Sequence, residues 1–427
     1  MHTPTRRTFL VSAATALPLF TTSAIKAAPS ERLNLCIVGV RGRGRGVALG
    51  FARLKEACIS HVCDVNAPLM APFAKAVDEV QKTTPKMVQD LRKVLEDPSV
   101  DGLIVATPDH WHALATIWGC QAGKHVYVEK PVSHNIFEGR QMVAASRHHK
   151  RIVQTGTQSR SVPHMIQAIE YIRSGKLGKI HQAKAWNSQL RRRVAAAKDA
   201  PVPAGLDWDI WQGPAPERTF NPNRYSYGWR WLWDYGTGDM GNDGVHDLDI
   251  ARWGLGVGAP STVQCTGGKL FFDGDIQETP DTQFVTFTFP ESKALLVYEQ
   301  RLWSPYHQEG HENGVAFYGT EGYLILGRSS WKVVGPRNKV VLEQREKFSD
   351  TPHFENFLAC AKSGKRPNCD IEDGHLSTQL AHLGNIAYRV GRPLKYDGKA
   401  EKIIGDEEAN GLLRRTGRKA FQIPEKF

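Results

Sequence analysis

A short apolar run followed by a glycine-rich turn, near the start of the chain, constrains the fold most strongly. Residues 33–38 read LNLCIV, and the turn that begins at Gly39 leads into a helical segment. Strand, glycine turn and helix are typical of the first unit of a dinucleotide-binding α/β domain, where backbone N–H groups approach a pyrophosphate. Gly39 and Gly44 fit the spacing G-x-G-x-x-G, although Arg41 occupies its middle position and Gly42 adds a flexible point. A glycine-rich surface loop is the alternative.

A second apolar run supports the dinucleotide interpretation. Residues 58–63 (CISHVC) precede Asp64, which lies 64 − 39 = 25 residues after the first glycine. This is near the spacing expected of the carboxylate that accepts hydrogen bonds from the adenosine ribose. The acid favours NAD over NADP, because it would repel a 2′-phosphate. Arg41 and Arg43 lie nearby and keep NADP as the less favoured alternative.

Polar residues follow two further apolar runs at the point where each run ends. Residues 100–106 precede TPDHWH, and residues 126–128 precede EKP. In open α/β sheets, ligands bind outside the carboxyl ends of the strands, which makes Lys130 the leading candidate for chemistry. A solvated charged pair that ends a surface strand is the alternative for Glu129 and Lys130. The predicted cofactor contacts are Gly39, Arg41, Gly42, Arg43, Gly44, Asp64, Thr107, Pro108, His112, Glu129 and Lys130.

Four segments in combination resemble the Gfo/Idh/MocA oxidoreductases, a family that includes glucose-fructose oxidoreductase and inositol 2-dehydrogenase. They are the glycine turn, ATPDHWHA, VYVEKP and GTGDMGNDGVHDLDIARWGLG. The resemblance implies an α/β fold: an N-terminal Rossmann domain, a C-terminal α/β domain with a large open, mostly antiparallel sheet, and a nicotinamide cofactor at the cleft between them. It also implies that Lys130 hydrogen-bonds the substrate near the nicotinamide. The corresponding Lys-Pro bond is often cis in this family, which implies a cis bond between Lys130 and Pro131.

The later glycine-dense segment contains the predicted acid/base residue. His246 lies at the entrance of a helical stretch that continues through Trp253. The resemblance places this histidine beside the substrate, and an ordinary imidazole pKa near 6.5 suits removal of an alcohol proton as hydride leaves the same carbon. The alternative is a structural histidine whose hydrogen bonds are satisfied.

The chain departs from the family's sugar and inositol dehydrogenase pattern four residues before His246, where Asn242 replaces an aspartate. An amide can orient a substrate by hydrogen bonds, but it cannot hold a proton or stabilise an imidazolium by charge. Asp239, Asp243 and Asp247 are the carboxylates that could compensate. Asn242, Asp243 and His246 are predicted substrate contacts.

A polar stretch at residues 154–161 follows a strand-like run at 151–153. The resemblance places this stretch at the domain junction, with Gln158 and Arg160 as predicted substrate contacts, and an ordinary linker loop is the alternative. The predicted domains are residues 31–153 for the cofactor and residues 154–427 for substrate binding and oligomerisation.

Apolar and polar residues alternate in the second domain, most clearly in QFVTFTF at residues 283–289. This alternation is typical of a sheet with one solvent-exposed face. Other predicted strands cover residues 180–187, 261–271 and 293–299, and helices are predicted from residue 353 and over 374–390. The resemblance implies a homo-oligomer formed through this sheet.

Tryptophan and arginine are concentrated in one part of the predicted second domain. Residues 208–233 contain five of the eleven tryptophans. Indoles can stack on a pyranose or anchor a subunit interface, and core packing of an irregular loop is the alternative. The neighbouring run Arg191-Arg192-Arg193 could bind an acidic sugar or a phosphate, or form a solvated loop.

The amino terminus has the pattern of a twin-arginine export signal. Arg6 and Arg7 precede an apolar stretch at residues 11–20 and then small residues through Ala28. The apolar stretch is too short to span a bilayer as a stable anchor. Residues 1–30 are therefore predicted to direct export to the periplasm or another extracytoplasmic location. Twin-arginine export moves folded proteins, which also predicts tight cofactor retention.

Charge and cysteine spacing argue against several other classes. The net charge of +11 falls to 11 − 3 = +8 once Arg6, Arg7 and Lys26 are removed. This basic excess is spread along the chain, so no nucleic-acid partner is predicted. No second apolar span follows the first one, so no membrane span is predicted. The seven cysteines show no paired metal-ligand spacing or disulfide framework. His110 and His112 lack further ligands, so no metal is predicted.

These observations predict an exported NAD(H)-dependent oxidoreductase that acts on a sugar, a sugar derivative or a cyclic polyol. Lys130 would orient the reacting oxygen, and His246 would act as acid/base. One alternative is an NAD-dependent glycosidase, in which NAD is a recycled redox catalyst. A second alternative is a non-catalytic periplasmic sugar-binding protein that keeps the fold.

Overall fold

The computed structural model describes residues 32–427, and its first part is built around six parallel strands. The strands are β1 Leu33–Val38, β2 Ala57–Cys63, β3 Lys86–Val88, β4 Gly102–Val105, β5 His125–Val128 and β6 Val153–Thr155. Their order in the sheet is β3-β2-β1-β4-β5-β6, which is the doubly wound arrangement of a Rossmann domain. The predicted N-terminal fold is confirmed. The predicted export signal lies outside the described residues.

Successive residues of β1 pack on opposite faces of this sheet. Leu35 and Ile37 belong to one apolar cluster, and Cys36 and Val38 belong to another. Side chains alternate across a strand, so a parallel strand that is covered on both faces has a continuous apolar sequence. The covering helices are α1 Gly42–Ala52, α2 Ala67–Gln81, α3 Leu91–Leu95, α4 Asp109–Gln121 and α5 Ile136–His148.

A second sheet of ten strands forms the predicted C-terminal α/β domain. Its strands are β7 Ile180–Ser188, β8 Thr262–Gly268, β9 Thr282–Phe289, β10 Ala294–Arg301, β11 Asn313–Gly319, β12 Tyr323–Leu326, β13 Ser330–Val334, β14 Val340–Arg345, β15 Leu394–Asp397 and β16 Lys402–Ile403. Their order is β14-β13-β12-β11-β7-β10-β9-β8-β15-β16. The sheet is mixed, because β7 and β10 pair in parallel while their other neighbours are antiparallel. A mostly antiparallel sheet was predicted, and it is confirmed.

One face of the ten-stranded sheet is covered by three helices. Phe287, Leu296 and Phe317 of the sheet share an apolar core with Leu248 and Leu380 of two of these helices. The three covering helices are α6, α9 and α11. The helices that follow α5 in the described residues are α6 Pro163–Arg173, α7 Trp208–Gln212, α8 Pro222–Tyr225, α9 Val245–Leu255, α10 Thr351–Ser363, α11 Ile371–Val390 and α12 Glu407–Gly411.

The strands β11–β14 were absent from the sequence prediction. Most of β14 is exposed, so its residues carry no burial alternation that a sequence pattern could reveal. β11 joins the sheet by backbone pairing to β7, which lies far earlier in the chain, and β12, β13 and β14 then follow in succession. Tertiary pairing therefore decides this part of the sheet.

The chain returns to the first sheet after β14, before the last two strands of the second sheet. In α10, Phe354, Phe357 and Leu358 are buried in the apolar cluster that contains Phe51 and Tyr127. The rings of Phe51 and Phe354 lie 4.6 Å apart between centroids. The domain boundary predicted after residue 153 falls inside β6, and that boundary stays a prediction.

The packing of α10 generates a stability prediction. We expect Leu358→Ala to lower the free energy of unfolding by about 2–5 kcal/mol, because it removes a buried side chain from a packed core. The matched control is Leu270→Ala, since Leu270 is 70% exposed whereas Leu358 is 2% exposed. Urea denaturation of both variants provides the measurement, and equal losses would contradict the assignment of α10 to the first core.

Candidate active site

The glycine turn between β1 and α1 has no room for side chains at two positions. Gly39 has φ +90°, and a Cβ there would lie 2.8 Å from the Ala106 carbonyl oxygen. A Cβ on Gly44 would lie 2.0 Å from the Gly39 carbonyl oxygen. These are the two positions at which the sequence matches the dinucleotide spacing. The turn therefore brings bare backbone and a helix N-terminus to the edge of the sheet, as a pyrophosphate requires.

Arg41 stands where the pattern has its middle glycine, and its conformation explains how this is accommodated. Its backbone is extended, with φ −87° and ψ 163°. Its guanidinium carbon lies 5.1 Å from the centre of the Tyr225 ring. The side chain is therefore turned towards a segment that covers the cleft, which leaves the backbone of the turn accessible.

Asp64 follows β2 and lies in the same cleft. Val40 N donates to Asp64 Oδ2 at 3.0 Å, and Asn66 N donates to Asp64 Oδ1 at 2.9 Å. Burial raises the pKa of Asp64, and these two hydrogen bonds oppose the shift. The carboxylate is thus held in place beside the glycine turn, where it can accept hydrogen bonds from ribose hydroxyls.

A single cleft brings most of the predicted residues together. It runs along the carboxyl ends of β1, β2, β4 and β5, as expected for a ligand site in an open α/β sheet. The predicted residues that line it are Gly39, Arg41, Gly42, Arg43, Asp64, Thr107, Pro108, His112, Glu129, Lys130 and Asn242. The residues present therefore fit a bound dinucleotide. Gly44, Gln158, Arg160, Asp243 and His246 lie outside this lining.

Glu129 links the end of β5 to two neighbouring segments. It is 4% exposed, and Arg43 Nε donates to its Oε1 at 2.9 Å. Gln158 Nε2 donates to the same oxygen at 3.3 Å and to the Tyr127 hydroxyl at 3.1 Å. Gln158 is therefore placed behind Glu129, where it supports the end of β5.

Two other predicted residues make internal contacts. His112 bridges two carbonyl oxygens, with 2.6 Å between Nδ1 and Pro131 O and 2.9 Å between Nε2 and Thr107 O. These contacts tie the end of β4 to the end of β5. Arg160 forms a buried ion pair with Asp249 at 2.8 Å, so its guanidinium lies in the interior instead of the cleft.

Lys130 occupies the end of the cleft where the two sheets meet. Its peptide bond to Pro131 is cis. Its Nζ donates a hydrogen bond to the carbonyl oxygen of Asn242. Burial lowers the pKa of Lys130, and the charges of Glu129 and Asp243 oppose this shift. An ammonium has three donors, so Lys130 keeps donors for a ligand beside its bond to Asn242.

Asn242 belongs to a π-helical turn, Met240–Gly244, that runs directly into α9. Such turns are rare and are frequently found at functional sites. The Asn242 side chain donates from Nδ2 to Asp239 Oδ1 at 2.7 Å, while the backbone carbonyl oxygen of Asn242 accepts from Lys130 Nζ. The side-chain amide of Asn242, which stands where the family pattern has an aspartate, is thus turned towards the carboxylate of Asp239.

His246 is the second residue of α9, immediately after the π-helical turn. Its Nδ1 is buried and has no hydrogen-bond partner among residues 32–427. Burial lowers the pKa of His246 well below its usual range, and the charges of Arg328 and Lys130 act in the same direction. The imidazole is therefore neutral at neutral pH, which is the form that accepts a proton.

Arginines neutralise the carboxylates around this turn. Arg191 pairs with Asp239 at 2.8 Å and with Asp243 at 3.1 Å. The first residue of the predicted basic run is thus an internal partner for two acids. Arg328 lies 3.9 Å from Asp247 between Nη2 and Oδ2. The compensating carboxylates proposed from the sequence are therefore present near His246, but they are already paired.

The tryptophan-rich segment covers the cleft. Trp208 and Trp211 stack with centroids 4.6 Å apart, and Trp111 Nε1 donates to the Ile210 carbonyl oxygen at 2.9 Å. Core packing therefore accounts for part of this segment. The residues from the segment that line the cleft are Ile210, Trp211, Tyr225, Ser226, Trp229 and Arg230. Sequence reasoning missed Tyr225 and Arg230, and their only signal was proximity to the tryptophans.

Two family models match most of the chain. Residues 33–157 match the description "Oxidoreductase family, NAD-binding Rossmann fold", and residues 180–284 and 309–423 match "Oxidoreductase family, C-terminal alpha/beta domain". The chain therefore belongs to the Gfo/Idh/MocA family of oxidoreductases. It is an enzyme of the oxidoreductase class, and NAD is its cofactor.

Individual relatives agree with this membership. The chain is 24% identical over 323 residues to scyllo-inositol 2-dehydrogenase (NAD(+)) of Bacillus subtilis (strain 168), which covers 74% of this chain and 83% of that protein. It is 31% identical over 112 residues to glycosyl hydrolase family 109 protein 2 of Shewanella sp. (strain ANA-3), which covers 25% of each chain. The aldose-aldose oxidoreductase of Caulobacter crescentus, solved with glycerol, shares the fold with a TM-score of 0.67 at 18% identity, covering 85% of this chain and 99% of its own.

Within residues 32–427, no helix is both long and apolar enough to cross a membrane. The same residues contain no group of three or more histidine, cysteine or acidic side chains arranged to hold a metal ion. The cysteines in this part of the chain are free.

The environment of Asp247 generates a prediction about pH. Burial raises the pKa of Asp247 to about 7, so the folded state binds this proton more tightly than the unfolded state. The stability from this proton is fully present below about pH 4 and is lost as pH rises through about 7. We expect Asp247→Asn to reduce the fall in melting temperature between about pH 5 and about pH 8. The control is Asp273→Asn at an exposed position. If the melting temperature of the Asp247 variant fell with pH as much as that of the wild type, the raised pKa of Asp247 would be contradicted.

Proposed function

We propose that this protein is an exported NAD-dependent oxidoreductase that acts on a hydroxyl-bearing carbon of a sugar, a sugar derivative or a cyclic polyol. The observation that carries this proposal is the hydrogen bond that ties the Lys130 ammonium to the π-helical turn, which runs directly into the helix that carries the neutral His246 imidazole. The named relatives that act on inositols and aldoses support the substrate class.

Each of the two residues has a distinct role in this proposal. NAD, when bound, accepts a hydride from the substrate carbon at nicotinamide C4. Lys130 donates a hydrogen bond to the reacting oxygen and so stabilises the negative charge that develops there. His246 accepts the hydroxyl proton through a ring nitrogen, and the carbon becomes a carbonyl. In the reverse direction His246 returns the proton.

Asn242 and its neighbours set the electrostatics of this step. The Asn242 carbonyl holds Lys130 in place, and its side chain is anchored on Asp239. Protonated His246 therefore receives no charge stabilisation from position 242. Because the pKa of His246 is lowered, its protonated ring gives up the proton readily and is an effective acid in the reverse direction.

A second candidate function is an NAD-dependent glycosidase, which Asn242 and the partial likeness to a family 109 glycosyl hydrolase both favour. Oxidation beside the anomeric centre would acidify a C–H bond, elimination would expel the aglycone, water would add, and the ketone would be reduced. His246 and Lys130 would serve the redox steps as above. This reaction consumes no net NAD.

The experiment that tests these candidates uses the purified full-length protein. Mass analysis of any dinucleotide released by denaturation identifies the bound cofactor. Pooled sugars, inositols and glycosides are then added while the absorbance of reduced nicotinamide is followed. Net accumulation of NADH supports the dehydrogenase, and transient reduction with release of aglycone supports the glycosidase. A binding protein without turnover is the outcome that overturns both.

The export part of the proposal rests on Arg6, Arg7 and the apolar stretch that follows them. Replacement of both arginines by lysine should keep the protein in the cytoplasm, and fractionation of cells measures this. Lys26→Arg serves as the control. Unchanged export of the double variant would contradict the twin-arginine route.

We also propose a homo-oligomer that forms through the outer face of the ten-stranded sheet. Phe284 on β9 is 40% exposed, while its neighbour Val285 is fully buried against the helices on the other face. An exposed aromatic residue on an uncovered sheet face favours subunit contact. Sedimentation of the wild type and of Phe284→Glu measures the mass, and a monomeric wild type would refute this proposal.

The role of His246 generates a kinetic prediction. We expect His246→Asn to slow hydride transfer by about 10²–10⁴-fold, because it removes the acid/base group. The affinity for NAD should be unchanged, since the glycine turn and Asp64 provide the proposed contacts to the dinucleotide. Single-turnover absorbance and a fluorescence titration with NAD provide the measurements. His307→Asn is the matched control at an exposed position, and a normal rate in the His246 variant would remove the histidine from the mechanism.

A further inference from the structure

Arg230 is a cation in the cleft that forms no ion pair with the described residues. It belongs to the short 3₁₀ turn Gly228–Trp231 and lines the cleft together with Lys130 and Asn242. Its guanidinium carbon lies 4.5 Å from the centre of the Trp229 ring and 4.8 Å from the centre of the Tyr227 ring. Its Nη1 donates to the Tyr227 carbonyl oxygen at 3.2 Å. The side chain is thus held in place by aromatic rings and one backbone oxygen.

The neighbouring arginines differ from Arg230 in their partners. Arg43 pairs with Glu129 at 2.9 Å, and Arg191 pairs with Asp239 at 2.8 Å. Within residues 32–427, Arg230 forms no ion pair. Arg230 is therefore a guanidinium at the Lys130 end of the cleft that has no carboxylate of the described residues within ion-pair distance.

Two carboxylates, Asp109 and Asp239, interact electrostatically with Arg230, but neither forms an ion pair with it. Asp109 is buried and accepts a hydrogen bond from Thr237 Oγ1 at 2.8 Å. Asp239 is fully buried and accepts from Arg191 and from Asn242. Burial lowers the pKa of Arg230, while Asp109 opposes this shift. A partly buried cation is costly without a partner, so an anionic ligand group gains by binding there.

We propose that Arg230 binds a carboxylate of the substrate, so that the substrate class is a sugar or cyclic polyol that carries a carboxylate, such as a hexuronate. This inference rests on the proposed function and specifies its substrate. A guanidinium binds a carboxylate with two parallel hydrogen bonds, and the Trp229 and Tyr227 rings hold its plane. Lys130 then orients the reacting hydroxyl of the same ring.

The charge at this end of the cleft favours a carboxylate over a phosphate. One guanidinium without a partner matches one negative charge, whereas a phosphate monoester carries close to two near neutral pH. The charge of Lys130 already faces Glu129 and Asp243. The pyrophosphate of the dinucleotide has its own place at the glycine turn and the N-terminus of α1.

The test measures ligand binding to the full-length protein loaded with NAD, so it does not require turnover. The probes are glucuronate, glucose and glucose 6-phosphate, and calorimetry gives their affinities. We expect the wild type to bind glucuronate at least about tenfold more tightly than glucose, as one charge-assisted bidentate contact would provide. Arg230→Gln should abolish this preference and leave the affinity for glucose unchanged. Arg230→Lys should keep part of this preference, since lysine keeps the positive charge but lacks the two parallel donors of the guanidinium.

Arg53→Gln is the matched control. Arg53 is exposed and lies outside the cleft, so this change in net charge should leave the preference for glucuronate intact. The affinity for NAD, measured by fluorescence, should stay within about twofold of wild type in every variant. This second measurement also shows that the Arg230 variants are folded.

Three results would overturn the inference. The first is an equal affinity of the wild type for glucuronate and glucose. The second is loss of glucose 6-phosphate binding in Arg230→Gln with glucuronate unaffected, which would assign the site to a phosphate. The third is a weaker affinity for NAD in Arg230→Gln, which would assign Arg230 to the cofactor. Hydride transfer to neutral sugars without any preference for acids would refute this inference alone, whereas acid binding through Arg230 without hydride transfer would refute the proposed function alone.

Discussion

The hydrogen bond from Lys130 Nζ to the carbonyl oxygen of Asn242 joins the two halves of the active site. Lys130 ends a strand of the first sheet, and Asn242 lies in the π-helical turn that precedes α9. Neither element alone forms a site. Their contact positions a cation from one sheet beside the histidine of a helix that covers the other, so the cleft and its chemistry both depend on it.

Paired buried charges hold this arrangement in place. The Glu129–Arg43 pair connects β5 to the glycine turn, and the Arg191–Asp239 pair fixes the π-helical turn from the side of β7. Charges that are buried without partners are costly, so most of them are paired inside the protein. At the cleft, Lys130 has a pKa lowered by burial, and Arg230 forms no ion pair. An anionic ligand group would stabilise both cations.

Several site residues could be predicted because their function depends on local backbone geometry. Gly39 and Gly44 are required by contacts within one turn, and Asp64 and Lys130 each stand directly after an apolar strand. Gln158 and Arg160 could not be placed in this way. They follow β6 in sequence, but their side chains meet Glu129 and Asp249, whose positions depend on the packing of two domains.

The amino-acid sequence by itself determined the parallel sheet, the glycine turn and the type of cofactor, because apolar periodicity and short spacings act within a few residues. Only the tertiary structure decided that α10 returns to the first core, that Arg191 is paired and that Arg230 is not. These outcomes depend on which charges and rings meet after the chain has folded. Residues such as Arg191 and Arg230 have the same chemistry in sequence, and their different partners give them different roles.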